Sequence, residues 1–279
     1  MTLDSTLARK MWRTMEPYHG FVYFVDEGVA AYAEAGLTPG RMGYFASRSA
    51  PMGPVPAEVV IATFFNFNPA LVRGCIPEAW RLASPERVLQ ARTAAVDSAL
   101  RRVLGDQIGG PEMAEAAAIA RAAADACQPH GRPLFAGHAS LPWPDEPHLA
   151  LWHAVTLLRE YRGDGHIAAL VAEGVGGCQA LVIHGATGDV PNAVLQASRA
   201  WPDDEWAVAV QQVRDRGWLG DDGALTDAGR AHRQWVEDRT DALAMAPWEA
   251  VGQDQADRLR FLVRPWSKAI VESGELGFR

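Results

Sequence analysis

WPDDEWAVAVQQVRDRGWLGDDGALTDAGRAHRQWVEDRTD, residues 201–241, carries the most structural information in the chain, and its reading sets the rest. Pro202 followed by Asp203, Asp204 and Glu205 is a helix start, with acids where the helix dipole is positive. Trp206, Val208, Val210 and Val213 then recur at mixed helical spacing, and Gly217 is the natural stop. Trp218-Leu219 and Ala224-Leu225-Thr226 read as two short strands around the turn Gly220-Asp221-Asp222-Gly223. Thr226 or Asp227 caps a second helix, which runs on through Trp235, Val236 and Ala242.

Helix, hairpin, helix in that order resembles the recognition helix and wing of a MarR-like winged helix. The resemblance implies DNA binding, but the charges oppose it. Asp203, Asp204 and Glu205 open the helix that would meet phosphates, and Asp221 and Asp222 occupy the wing tip. Only Arg214, Arg216 and Arg230 supply positive charge nearby. DNA therefore stays as a disfavoured partner, and the unit reads as a scaffold.

Outward from this stretch, the chain matches itself at an offset of about 138 residues. Ala30–Leu37 falls on Ala168–Val175, Tyr23 and Asp26 on Tyr161 and Asp164, and Trp80 on Trp218. At a slightly smaller offset Pro56–Thr63 lies beside Pro191–Ser198. The expected fold is mainly α: two diverged winged-helix-like halves, a pseudo-duplication, with a small β wing in the second. The expected division is a helical first half at 1–105, a helix and Pro-rich linker at 106–147, a winged-helix second half at 148–250, and a C-terminal helix and tail at 251–279. Pro111 to Ala126 reads as one alanine-rich helix, Gln128–Pro133 as a loop, Leu141–His148 as extended, and Gln253 to Val271 as an amphipathic helix.

Composition narrows the function. At 279 residues and 48% hydrophobic, each half can bury its own core. A net charge of −8 is the wrong sign for a protein devoted to nucleic acid. No apolar run approaches about 18 residues, so no membrane partner is expected. Met1–Ser5 lacks a basic and apolar leader, which points to the cytoplasm. Cys75, Cys127 and Cys178 are too far apart for a disulfide framework or a Cys-x-x-Cys metal site.

The densest chemistry lies at the start of the second half, where Leu158–His166 packs Arg159, Glu160, Tyr161, Arg162, Asp164 and His166 into nine positions. Arg159 and Arg162 are three apart, so both can meet one carboxylate or phosphate. His153 or His166 would act as acid or base near neutral pH. The competing reading is an internal salt-bridge cluster that ties the halves together. Histidine spacing fits no zinc site, while a haem needs only one axial ligand, so the cofactor is left open. In the first half, His19, Tyr44 and Arg48 sit among Met and aromatic residues, and Phe64-Phe65-Asn66-Phe67 adds rings. Nucleophile elbows, P-loops and dinucleotide fingerprints are absent from the sequence.

Three segments carry a wider resemblance: Arg48–Gly53, Leu151–His166, and Thr226–Arg230 with Val236–Asp241. Through them the whole chain is similar to a family of actinobacterial proteins labelled winged helix-turn-helix. That resemblance implies the fold and brings no settled activity. The leading expectation is a pocket between the halves for an aromatic or hydrophobic small molecule with an anionic edge. Its ligand-binding residues would be His19, Tyr44, Arg48, Arg159, Tyr161 and Arg162. Two alternatives are kept: an enzyme on the same pocket, with His153 or His166 as acid/base and arginine steadying an oxyanion, and a ligand-responsive winged-helix regulator.

Overall fold

Apolar side chains between Pro147 and Ala172 fall on every side of a helical wheel, which requires a helix buried nearly all round. A computed structural model places that helix at the centre of the molecule. It describes residues 3–276, so Met1, Thr2 and the tail residues Gly277–Arg279 lie outside the described residues. In chain order the first half holds α1 (Thr6–Gly20), α2 (Asp26–Glu34), α3 (Arg41–Ser49), α4 (Ala57–Phe64), α5 (Pro69–Arg73), α6 (Glu78–Leu82) and α7 (Pro85–Leu104). Next come α8 (Pro111–Asp125), α9 (Pro133–Ala139) and the central α10 (Pro147–Ala172). The chain continues through α11 (Gly177–Gly185), α12 (Asn192–Arg199), α13 (Asp203–Asp215), α14 (Asp227–Leu243) and α15 (Ala246–Glu272).

Three buried clusters organise these helices. A bundle of α1, α8, α10 and α15 closes around Met11, Met113, Leu151 and Leu259. Fully buried Ala116, Ala120 and Ala123 give α8 a smooth face against α10 and α15. A first lobe, α3 to α6 with the start of α7, closes around Phe45, Phe64, Phe67 and Ile76. A second lobe, α11 to α14 with the end of α10, closes around Leu181, Val182, Val213 and Val236. The order of elements recurs: α1, α3, α4, α7 and α8 have α10, α11, α12, α14 and α15 in the same sequence. α1 packs on α15 as α10 packs on α8, and α8 and α15 pack on each other.

The expected β wing is corrected. Among the described residues there is no β-strand, so the fold is α-helical and the picture of two winged halves does not hold. Leu219 and Leu225 form a single isolated bridge, with Gly220 N–H donating to Ala224 O at 2.9 Å and Thr226 N–H to Trp218 O at 3.0 Å. The arms are too short to extend it. Gly217 still ends α13 on one side. On the other, the Thr226 hydroxyl donates to Gly217 O at 2.6 Å and accepts from Gly229 N–H at 3.0 Å, which turns the chain straight into α14. Gly229 is required there, because a Cβ would lie 2.1 Å from Trp218 O.

Two linker readings also shift. Pro133–Ala139 folds as α9, starting inside the stretch read as loop. The last helix starts at Ala246, and Gly252, at φ 78°, breaks it just before the expected start at Gln253.

Candidate functional site

The two lobes meet above α10 and enclose a cleft of about 340 Å³. Its first-lobe wall is α3 and the end of α4, and its second-lobe wall is α11 and α14. The lobes are pinned at its rim. Asn68 N–H donates to Arg199 O at 3.0 Å, the Trp201 indole N–H to Asn66 O at 2.9 Å, and Arg41 to Ser198 O at 3.0 Å. Ala200 adopts a left-handed φ of 57° to make this junction.

Helical spacing sorts the α10 residues. Arg159, Arg162, Gly163 and His166 fall at intervals of three or four and share the cleft face. Tyr161 and Asp164 turn away toward α9. The Arg132 guanidinium carbon lies 3.7 Å over the Tyr161 ring, and Asp164 accepts from Phe135 N–H at 2.9 Å. Burial raises the Asp164 carboxyl to about 7.

Of the residues expected from sequence, Tyr44, Arg48, Arg159, Arg162 and His166 line this cleft. Tyr161, His19 and His153 do not. His19 is fully buried beneath it. Its Nδ1 lies 3.0 Å from Thr156 Oγ1, whose own proton goes to Trp152 O, so Nδ1 carries the hydrogen. Burial, with Arg159, holds the His19 imidazole neutral by pushing its pKa well down. His153 faces a separate groove between α7 and the proline-rich 141–146 segment, with Trp143 packed edge-on to its ring at 4.7 Å. The two histidines expected to carry acid/base chemistry are thus not brought together.

His166 is held in one tautomer. Its Nδ1 is 2.9 Å from Thr240 Oγ1, and Thr240 donates to Val236 O at 2.7 Å, so Nδ1 donates and Nε2 is left as an acceptor. Burial pushes its pKa down to about 4, so it is neutral at ordinary pH.

The arginines are held in two networks. Arg48 Nη2 donates to both oxygens of Glu160 at 3.1 Å, its Nη1 donates to the Tyr44 hydroxyl at 2.8 Å, and its guanidinium carbon sits 4.4 Å over the Phe64 ring. Arg159 donates to Glu160 at 3.0 Å and reaches Glu16 at 3.6 Å. Glu160 is 1% exposed; burial opposes its charge, but Arg159 and Arg48 outweigh it and hold the pKa well below the usual carboxylate range. In the second network, Arg162 meets Asp241 at 2.9 Å and Glu237 at 3.5 Å, joined by Arg9 and Arg233.

Sequence reading missed Arg199, Arg233, Glu237 and His232 as cleft residues. Arg199 carries no local signal, because the pinned lobe junction alone puts it there. Five arginines and two glutamates line the cleft, together with Tyr44, Phe64, Phe65 and Phe67. Among the described residues no group of three or more His, Cys, Asp or Glu is placed to hold a metal.

A helical chain with this architecture matches a family described as a helix-turn-helix family over residues 8–277. The chain belongs to that family. No curated protein and no solved structure matches it. Among the described residues of this helix-turn-helix family member, no single helix is long and apolar enough to cross a membrane.

Proposed function

We propose that the protein binds an aromatic or hydrophobic small molecule with an anionic edge in the cleft between its lobes. One observation carries the reading: an aromatic-walled cleft in a chain of net charge −8 is lined by five arginines, and one of them, Arg199, has no carboxylate partner among the described residues. Tyr44, Arg48, Arg159, Arg162 and His166 are the sequence-expected members of that wall; His19 and Tyr161 support it from behind. The reading includes an architecture of two diverged helical copies, 1–105 and 148–250, joined by 106–147 and completed by 251–279, so that the cleft lies between the copies. The recurring helix order and the reciprocal packing of α1 on α15 and α10 on α8 support it. Three free, buried thiols suit a reducing compartment such as the cytoplasm.

Membership of a helix-turn-helix family favours a second reading, a regulator whose DNA affinity responds to the cleft ligand. The three acids opening α13 weigh against it. An enzymatic role is weaker still, because His153 opens elsewhere and His166 is neutral and tied to Thr240.

Native mass spectrometry with an absorption spectrum, on protein purified from its own host, tests the proposal. A co-purifying anion with near-ultraviolet absorption is the expected result. A ligand-free mass, with a salt-dependent shift of promoter DNA, would overturn it in favour of a plain DNA-binding role.

A further inference from the structure

The charges around the cleft do not all await a ligand. Arg48 and Arg159 are matched by Glu160 and Glu16. Arg162, Arg9 and Arg233 are matched by Glu237, Asp241 and Asp238. Each network is neutral as it stands. An incoming anion would have to displace a carboxylate that is already well placed, and in the Glu160 network that carboxylate is buried, so little would be gained.

Arg199 differs. Among the described residues it pairs with no carboxylate. Its Nη1 donates to Ser198 Oγ at 2.9 Å, its buried Nε has no partner, and its guanidinium carbon lies 4.8 Å over the Phe67 ring. Its backbone carbonyl is fixed by Asn68, so the side chain leaves a rigid junction. Burial, with the neighbouring charges of Arg41 and Arg48, makes its protonated form unfavourable, and its pKa is lowered. Such a cation costs stability unless a counter-ion arrives.

We infer that Arg199 is the anchor for the ligand's anionic group, and that the cleft takes a monoanion: one carboxylate on an aromatic or apolar body that stacks beside Phe67 and Tyr44. The inference rests on the cleft reading and narrows it. Among the described residues the cleft holds one uncompensated charge, so a second negative group on the ligand would meet Glu160 or Glu237 without a free cation to receive it. Arg199 thus sets the ligand's charge, whereas Arg48, Arg159 and Arg162 shape the walls.

Calorimetry with three probes of one shape tests this: 1-naphthoate, neutral 1-naphthamide, and naphthalene-1,4-dicarboxylate. The native protein is expected to bind the monocarboxylate most tightly of the three. Arg199→Met is expected to weaken naphthoate by roughly tenfold or more, as for a lost charged hydrogen bond, and to leave naphthamide unchanged. Equal naphthoate affinity in native and Arg199→Met proteins overturns the anchor, and a dicarboxylate that binds tighter than naphthoate overturns the monoanion. Native protein that binds none of the three overturns the cleft reading and this inference with it. Thermal unfolding without ligand separates the two failures. An uncompensated cation predicts that Arg199→Met melts no lower than native, and a fall of several degrees overturns the charge assignment whatever the probes do.

Discussion

At the scale of single residues, Asp164 is the sharpest case of position deciding chemistry. It was one of six polar positions in a run that read as a site, yet the helical turn sends it to the back, under α9. Its carboxyl titrates at about 7 in the fold against an ordinary 3.8, because burial penalises the charge. The folded state therefore holds the proton longer than the unfolded chain. The stability it contributes is fully present below pH 3.8 and is lost as pH rises through about 7. Asp164→Asn keeps an acceptor for Phe135 N–H and removes the ionisation. Its stability relative to native, from urea unfolding at pH 5 and pH 8, is expected to improve at the higher pH. A difference that does not change with pH would contradict the assignment. Arg199 teaches the complementary lesson. Arg159 and Arg162 announced themselves by spacing, whereas Arg199 ends a helix with no second cation, and the lobe junction is what brings it to the cleft.

At the scale of elements, the helix starts that were legible are those whose chemistry is local. Pro202 and the acids after it open α13, Thr226 caps α14, and the alanine-rich Pro111 segment is α8. The wing was misread because Asp-Gly turns and flanking leucines are equally good at making one bridge and at making a hairpin. What separates the outcomes is a capping hydroxyl at Thr226, which ends the extended backbone after one bridge. The contact of α11 with the end of α4 was also illegible, since it joins distant segments. A Cβ on Gly177 would lie 2.0 Å from Phe65 O, where backbone cannot yield. Gly177→Ala should push α11 off the first lobe and cost about 2 kcal/mol or more. An unchanged urea midpoint would mean that the lobes are not held by this contact.

At the scale of the whole molecule, the sequence offered scattered matches at a steady offset, and the two-copy reading built on them belongs to the proposal above. The reciprocal packing of the end helices was not visible, because it depends on which surfaces meet. The same holds for the histidines: sequence could gather them within a short span but could not show that His153 and His166 face different cavities. Both are neutral in the fold, pushed by burial to about 4 from an ordinary 6.5. The unfolded chain binds their protons first, so the stability they contribute is fully present above pH 6.5 and is lost as pH falls toward 4. Asp164 slopes the other way over much of this range and partly masks the loss. A stability profile of Asp164→Asn should therefore fall more steeply between pH 6.5 and 4 than that of the native protein; parallel profiles would contradict this balance.

The central claim is that the cleft between the lobes is a ligand site, and Gly163 allows a direct test. It lies on the cleft face of α10, and a Cβ there would meet only Glu160 Oε2, at 3.7 Å. Gly163→Phe should fill the cleft and leave the cores intact. The decisive measurement is thermal unfolding of native and Gly163→Phe proteins against a panel of aromatic monocarboxylates. The native protein is predicted to gain roughly 5 °C or more at a hundredfold excess of a binding compound over its Kd, and the filled variant to gain nothing. No gain in the native protein, or equal gains in both, would contradict the account.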